Sequence, residues 1–215
     1  MLKPTNQLPT TNPRSRPYHE VRAAFSDTTV RVYQAYSPAI ADKAVAAQRF
    51  VPPLSRERMT WIKPSFTWMM YRSGWAEKDG QERILAIDLL RSGFEWALAH
   101  ACLSHFDRSA HATPEEWKAA LKRSPVRIQW DPERSLRLEP LEFRAIQIGL
   151  KREAVNAYVD QWIQRIEDIT EMAKTVRRTV AEKGPEAAAE LVPKEPPYPL
   201  PKEIARHIGC TDGSK

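Results

Sequence analysis

Residues 59–75, here called the aromatic-basic segment, bring ring-bearing and cationic side chains together in the sequence MTWIKPSFTWMMYRSGW. Three of the chain's 7 Trp lie in this stretch, and two Arg come just before it. Aromatic faces stack on bases or on a nicotinamide ring, and guanidinium and ammonium groups hold phosphates. The segment therefore predicts a site for a nucleotide cofactor or a nucleic acid. The side chains predicted to bind it are Arg56, Arg58, Trp61, Lys63, Ser65, Trp68, Arg72 and Ser73.

A purely structural interpretation of the aromatic-basic segment stays open. Under it the residues form a strand and a turn, the rings belong to an ordinary core, and Lys and Arg reach solvent along their aliphatic stems. The small and ring-closed residues Pro64, Ser65, Ser73 and Gly74 favour a site, since a segment that only builds a core tends to avoid them.

Gln147 is the second candidate for chemistry, because it is an amide in the middle of the apolar strand pattern FRAIQIGL. Residues two apart on a strand share a face, so Gln147 should lie between Ala145 and Gly149, whose small side chains leave room above it. This pattern predicts the floor of a pocket. A buried hydrogen-bond network that satisfies the amide would give the same pattern.

Several other site chemistries lack their residues. The chain has no dinucleotide-binding or P-loop glycine signature, no nucleophile elbow, no CxxC and no HExxH. Its 5 His are scattered, and a five-residue step between two of them does not place both on one helical face. The two Cys, Cys102 and Cys210, give neither a disulfide framework nor metal spacing. The sequence therefore predicts no metal site.

Composition limits the class of protein to which these candidate residues belong. A chain of 215 residues that is 42% hydrophobic and 28% charged is typical of one soluble globular domain with tails. No apolar run approaches the ~20 residues that a membrane span needs, and the first residues form no signal sequence, so we expect a cytoplasmic protein, or a nuclear one in a eukaryote. The net charge of +6 favours an anionic partner modestly. The oligomeric state has no signal in the sequence.

The positions of Pro and polar residues predict the domain boundaries. Residues 1–17 and 184–215 are rich in both, which predicts two disordered tails around one globular domain at 18–183.

Within 18–183, strand and helix patterns alternate irregularly. The predicted strands are EVRAAF and TVRVYQAY as a hairpin, ERILAIDLL as a central strand, VRIQW and FRAIQIGL, with Asp131–Arg134 as a turn. About five helices are predicted: one from Pro38, two behind capping boxes at Ser92 and Thr113, one over 152–165 and one over 170–184. This order predicts an α+β domain with a mainly antiparallel or mixed sheet.

The same motifs resemble an uncharacterised bacterial and fungal domain-of-unknown-function family over about residues 18–170. The stretches that carry this resemblance are VYQAYSPAIADKAV, RMTWIKPSFTWMMYRSGW, GQERILAIDL, GFEWALAHACLSHFD, SPVRIQWDPER and RAIQIGL. The resemblance implies kinship and carries no established activity with it.

A second resemblance concerns the fold. VYQAYSPAIADKAVAAQRFVPP is similar to the opening of ADP-ribosyltransferase-like domains, which implies NAD as the cofactor. Under this resemblance Gln34 and Tyr36 face the nicotinamide-ribose side, Tyr71 belongs to the ring-stacking element, and Gln147 contacts a ribose hydroxyl. These four are the candidate catalytic residues. Most transferases have Glu where this chain has Gln147, and Gln lacks the negative charge that stabilises an oxocarbenium-like transition state.

Two functional hypotheses follow, beside the possibility of a purely structural interaction domain. The first is an NAD-using, ADP-ribosyltransferase-like enzyme that modifies a nucleic acid or another nucleotide-bearing target. The second is a non-catalytic module that binds single-stranded nucleic acid or a nucleotide through its aromatic and basic side chains. An enzyme should gather Gln34, Tyr71 and Gln147 in one concave pocket, whereas a binder of extended strands should spread its rings along an open groove.

Overall fold

Two β-sheets and the helices around them form one α+β domain, as the sequence predicts. The computed structural model describes residues 16–108 and 112–211. One sheet has three antiparallel strands in the order β1-β3-β7, and the other has four strands in the order β2-β6-β5-β4, of which β4 pairs parallel to β5. Most of the predicted N-terminal tail, residues 1–15, lies outside the described residues.

The three-stranded sheet consists of β1 (Thr29–Tyr36), β3 (Arg83–Leu90) and β7 (Ile163–Asp168). β3 is central, with antiparallel partners on both sides, which fits its nearly continuous apolar run. Its one acid, Asp88, accepts two hydrogen bonds from Arg31 on β1, at 2.8 and 3.0 Å.

The four-stranded sheet consists of β2 (Thr60–Ile62), β4 (Ala101–Leu103), β5 (Val126–Arg134) and β6 (Pro140–Leu150). A pair of backbone hydrogen bonds joins it to the first sheet: Tyr33 N donates to Lys63 O at 2.7 Å, and Lys63 N donates to Tyr33 O at 3.3 Å. Lys63 therefore lies where the two sheets meet.

Eight α-helices complete the described part of the chain, against about five predicted. They are α1 (Pro38–Ala47), α2 (Phe66–Ser73), α3 (Arg91–Ala99), α4 (Pro114–Arg123), α5 (Glu153–Ala157), α6 (Thr170–Lys183), α7 (Pro185–Ala188) and α8 (Lys202–His207). The Thr113 cap forms, since its side chain accepts a hydrogen bond from Glu116 N. The capping box at Ser92 is wrong, because α3 already begins at Arg91.

Three further local predictions need correction. Residues 152–165 do not form one long helix: α5 runs into a π-helical turn, Tyr158–Trp162, and β7 follows. Pairing of Ile166 with Ile87 on β3 outweighs the helical periodicity there. The EVRAAF stretch makes only isolated bridges, such as Phe25 with Val30, and is not a full strand. Asp131–Arg134 continues β5 and is not a turn.

The Pro-rich C-terminal segment packs on the domain, which corrects the boundary predicted at residue 183. Tyr198 and Ile208 are buried in the main hydrophobic core, and Tyr198 N donates to Val21 O at 2.9 Å. The Tyr198 hydroxyl also donates to Glu95 at 2.6 Å. A Pro-rich composition indicates little regular structure, but single aromatic anchors still attach such a segment to a core. Residues 212–215 lie outside the described part of the chain.

Candidate functional site

A cavity of about 710 Å3 is lined by residues of both sheets. From the first sheet, β1 contributes Gln34 and Tyr36. From the second, the cavity receives Trp61 of β2 and Gln129 and Gln147 of β5 and β6. The remaining lining side chains that matter for its chemistry are Arg58, Thr60, Lys63, Trp68, Arg72 and Asp79. Most of these come from the aromatic-basic segment, so the strand β2 and the helix α2 position the site.

Lys63 is the most unusual group in this cavity. The residue is only 4% exposed, and its ammonium group makes no hydrogen bond or ion pair with any described residue. Nζ lies 4.8 Å from the centre of the Trp68 ring, a cation-π contact. Burial, helped by the nearby charge of Arg72 and opposed by Asp131, lowers the pKa of Lys63 to about 7. At neutral pH a large fraction of this amine is therefore uncharged.

Two exposed guanidinium groups face the same cavity. Arg72 donates to the side-chain oxygen of Gln81 at 3.2 Å, and neither Arg72 nor Arg58 forms an ion pair with a described residue. Asp79 is the one acid among the described lining residues. The cavity therefore has an excess of positive charge that is available to an anion.

Gln34 and Tyr36 form a buried hydrogen-bond network at the cavity wall. Gln34 Nε2 donates to the Tyr36 hydroxyl and to Trp61 O, both at 3.0 Å, and the Tyr158 hydroxyl donates to Gln34 Oε1 at 2.6 Å. The Tyr36 and Thr60 hydroxyls lie 3.0 Å apart. Burial raises the pKa of Tyr36 to about 12, so its hydroxyl stays protonated at neutral pH. This network fixes the wall and leaves Tyr36 unsuited to act as a base.

Gln147 lines the same cavity as Gln34, but its surroundings differ from those that the sequence predicts. Its Nε2 donates at 2.5 Å to Gln129 Oε1 and at 2.5 Å to Asp131 Oδ2, both on the paired strand β5. The space above Gly149 is filled, since a Cβ there would lie 2.9 Å from the Trp61 ring and 2.8 Å from Met59 Sδ. The amide is thus tied into a network, and Asp131 places a carboxylate beside it.

Four predicted site residues do not line the cavity. Tyr71 is 39% exposed and stacks under the guanidinium of Arg134, which lies 3.6 Å from its ring centre. Arg56 forms an ion pair with Asp160, at 2.6 and 2.8 Å. Ser73 donates to the backbone oxygen of Met69 inside α2, and Ser65 caps that helix.

The helical form of residues 66–73 explains why Tyr71 is excluded. In the helix, Trp68 and Arg72 are four residues apart and therefore share the face that meets the cavity, while Tyr71 points elsewhere.

Two acids, the buried Glu133 and the half-buried Glu195, lie at the N-terminal end of α2, and the sequence did not reveal them. Glu133 Oε1 accepts hydrogen bonds from Ser65 Oγ, Thr67 Oγ1 and Arg134 N, at 2.9, 3.1 and 2.8 Å. Glu195 Oε1 accepts from Phe66 N at 2.9 Å. Burial raises the pKa of Glu133, and burial together with the nearby charge of Glu133 raises the pKa of Glu195 to about 8.

One sequence signal could have revealed part of this arrangement. Gln129, Asp131 and Glu133 are spaced by two residues, so on a continuous strand they share one face. The Asp-Pro pair at 131–132 concealed this alternation by suggesting a turn. Tyr158 and Glu195 had no local signal, since each reaches its partner from a distant part of the sequence.

Two kinds of feature are absent from the described residues, a metal-binding cluster and a membrane-spanning helix. Within residues 16–108 and 112–211, no three His, Cys, Asp or Glu side chains lie close enough together to hold a metal ion. No helix in the same ranges is long and apolar enough to cross a membrane.

Comparison with known proteins identifies the family. The chain belongs to the family described as domain of unknown function DUF4291, whose model matches residues 20–198. The match includes the aromatic-basic segment, both sheets and the segment that carries Tyr198. No curated protein matches the chain.

Proposed function

We propose that this protein is an enzyme that binds a nucleotide in the cavity between its two sheets. One observation carries the proposal: Lys63, Arg58 and Arg72, none of them in an ion pair with a described residue, line the same cavity as Trp61 and Trp68. The two guanidinium groups and the Lys63 amine suit the phosphates, and the indole rings suit the base or the nicotinamide.

The size of the cavity supports a nucleotide over a smaller anion. Its volume of about 710 Å3 falls in the range of roughly 300–1,000 Å3 that is typical of small-molecule sites. The amides of Gln129 and Gln147 and the Thr60 hydroxyl add polar groups suited to ribose hydroxyls. An inorganic phosphate would leave most of these groups unused.

NAD is one nucleotide that this proposal covers, as the resemblance to ADP-ribosyltransferase-like domains implies. Gln34 and Gln147 line one cavity, and Asp131 lies 2.5 Å from Gln147. The carboxylate of Asp131 would supply the negative charge that Gln147 lacks in a transfer of ADP-ribose. Tyr71 has no part in this version of the site.

Equilibrium binding tests the proposal. NAD, ATP, GTP and a short single-stranded RNA are titrated into the protein, with Trp fluorescence and calorimetry as readouts, at low and at high salt. We expect at least one nucleotide to bind and its affinity to fall with salt. The double variant Arg58→Glu and Arg72→Glu should weaken binding at least about tenfold, which corresponds to 1.4 kcal/mol.

Arg178→Glu is the matched control, because Arg178 lies exposed on α6 and does not line the cavity. It should bind nucleotide as the wild type does. If no nucleotide binds at low salt, or if both charge reversals act alike, the cavity is not a nucleotide site.

A nucleic-acid target is favoured by the exposed ring of Tyr71, which packs edge-on against Trp68 at 6.2 Å between ring centres. A strand that enters the cavity could continue over this ring by stacking. Tyr71→Ala should then weaken binding of an oligonucleotide and leave binding of a mononucleotide unchanged. An equal effect on both ligands would contradict an extended nucleic-acid path.

A further inference from the structure

Lys63 has surroundings that a merely structural lysine would not need. Its chain is buried at the junction of the two sheets, yet its ammonium group has no hydrogen-bond or ion-pair partner among the described residues. Burying a lysine without a partner for its amine costs stability, and buried lysines are otherwise paired. A cost of this kind is typical of a site where the group acts on a ligand.

The amine can act as a nucleophile. A lysine attacks only in its neutral form, and burial beside Arg72 makes that form abundant at neutral pH. The ring of Trp68, 4.8 Å from Nζ, covers one side of the group. The indole nitrogen of Trp68 is fully buried without a hydrogen-bond partner among the described residues, so polar satisfaction is incomplete on this wall even before a ligand binds.

The neighbouring charges indicate which electrophile would face the amine. Arg58 and Arg72 line the cavity with Lys63 and would draw a polyphosphate into it. Phosphorus would then be the electrophilic atom next to Nζ. A neutral carbonyl substrate would gain nothing from the two guanidinium groups.

We propose that Lys63 Nζ attacks the α-phosphorus of a nucleotide that contains a phosphoanhydride bond, and so becomes covalently nucleotidylated. This inference rests on the proposed function of the cavity. A P–N bond forms, and the P–O bond of the anhydride breaks with its electron pair. The leaving group is pyrophosphate from a nucleoside triphosphate, or nicotinamide mononucleotide from NAD. The attacking nitrogen gives up one proton to solvent, and no oxidant or reductant takes part.

Arg58 and Arg72 have a defined part in this step. Their guanidinium groups would neutralise the charge that develops on the departing phosphate, together with a Mg2+ ion that enters as the nucleotide complex. The product is a phosphoramidate, which is the activated form from which a nucleotide is passed to a second acceptor. The reaction class is therefore nucleotidyl transfer through a lysine intermediate.

Radiolabelling tests the step directly. The full chain is incubated with Mg2+ and, in separate arms, with each α-32P nucleoside triphosphate, with γ-32P ATP and with NAD labelled in its adenylate phosphate. The protein is then separated under denaturing conditions. We expect covalent label from one α-32P nucleotide or from adenylate-labelled NAD, and none from γ-32P ATP. The label should be lost in acid and stable in base, and tandem mass spectrometry should place it on Lys63.

Lys63→Arg is the central variant, since it keeps the positive charge and comparable length but has no neutral amine near pH 7. It should retain nucleotide binding within about threefold, a difference under 1 kcal/mol, and lose the label at least about a hundredfold. Circular dichroism and the thermal midpoint check that this variant folds. Lys151→Arg, which alters a lysine outside the cavity, should label as the wild type does.

The outcomes separate the two proposals. Binding of a nucleotide without any acid-labile adduct overturns the nucleophile and leaves the proposed function intact. Absence of binding overturns both. Label that persists in Lys63→Arg, or that maps to another residue, overturns the assignment to Lys63.

Discussion

Two buried ionisable regions flank the same short segment, β2 followed by α2, and they are organised in opposite ways. On one side Lys63 enters the cavity without a hydrogen-bond or ion-pair partner among the described residues. On the other side Glu133 accepts three hydrogen bonds, and Glu195 accepts one from the backbone of Phe66. Glu133 is satisfied by the protein itself, whereas the Lys63 amine is not.

This difference distinguishes a structural use of burial from a functional one. Glu133 accepts from Ser65 and Thr67, and Glu195 accepts from Phe66 N, at the start of α2, where backbone donors have no partner within the helix. They hold the start of the helix. The Lys63 amine makes no hydrogen bond or ion pair with a described residue that would hold the fold, and it faces a cavity, which is the arrangement that the proposed ligand site requires.

The largest effect on stability should come from removing Glu133, whose carboxylate accepts three hydrogen bonds. Glu133→Ala leaves Ser65, Thr67 and Arg134 N with buried donors and no acceptor. We expect a loss of about 3 kcal/mol in the free energy of unfolding, measured by denaturant melts. Glu142→Ala, at an exposed position on β6, is the control and should change stability by less than about 0.5 kcal/mol. Equal effects would mean that the cluster is not structural.

The sequence revealed the two regions unequally. Lys63 and its aromatic neighbours lie within seventeen consecutive residues, so residue type and proximity sufficed to single them out. Glu133 and Glu195 come from positions 62 apart and meet only when the Pro-rich C-terminal segment packs on the domain. No local pattern encodes such a contact, and the composition of that segment predicted a disordered tail instead.

Unknown local structure limited the prediction even within the aromatic-basic segment. The structure confirms the α+β class. The class could be predicted because long apolar strands such as β3 give strong signals in the sequence. The direction of single side chains was harder to predict, since it depends on whether residues 66–73 are a strand or a helix. That choice decides that Arg72 lines the cavity and that Tyr71 does not.

Removing the amine of Lys63 should raise the free energy of unfolding, in contrast to the removal of Glu133. Lys63→Met keeps the length and removes the buried amine, so it should stabilise the free protein by about 2 kcal/mol at pH 6. The pKa of Lys63 is about 7 in the fold and near 10.5 when unfolded. Between these values the unfolded chain binds more protons, so wild-type stability rises with pH. The advantage of Met should therefore shrink from pH 7 to pH 10.5 in denaturant melts.

Destabilisation by Lys63→Met at pH 6 would contradict the comparison. It would mean that the ammonium group stabilises the fold, and that its burial has a structural purpose.

Glu195 should give the reverse pH dependence. Its pKa is about 8 in the fold, against 4.5 when unfolded, because its carboxyl group is buried near Glu133 and only partly compensated by Phe66 N and Arg22. Between these values the folded protein binds more protons, so stability falls as the pH rises from about 4.5 to about 8. Glu195→Gln should remove this decline and stabilise the protein by about 1 kcal/mol at pH 8, a modest value because the residue as a whole is only half-buried although its carboxyl group points inward. Melts of both proteins at pH 5 and pH 8 give the comparison, and an unchanged slope in the variant would assign the decline to another group.

The smallest effect concerns how Arg72 tunes Lys63. Burial is the main cause of the lowered pKa of Lys63, and the charge of Arg72 is the next cause. Arg72→Gln removes that charge and should raise the pKa of Lys63 by less than about one unit, since exposed charges are screened by solvent and salt. The pH dependence of Lys63 reaction with an amine-selective reagent, read by mass spectrometry, reports this pKa. Arg178→Gln serves as the control and should leave the profile where it is. A profile that shifts by several units in Arg72→Gln would mean that charge, and not burial, keeps the amine neutral, and one that does not shift at all would remove Arg72 from the account of its reactivity.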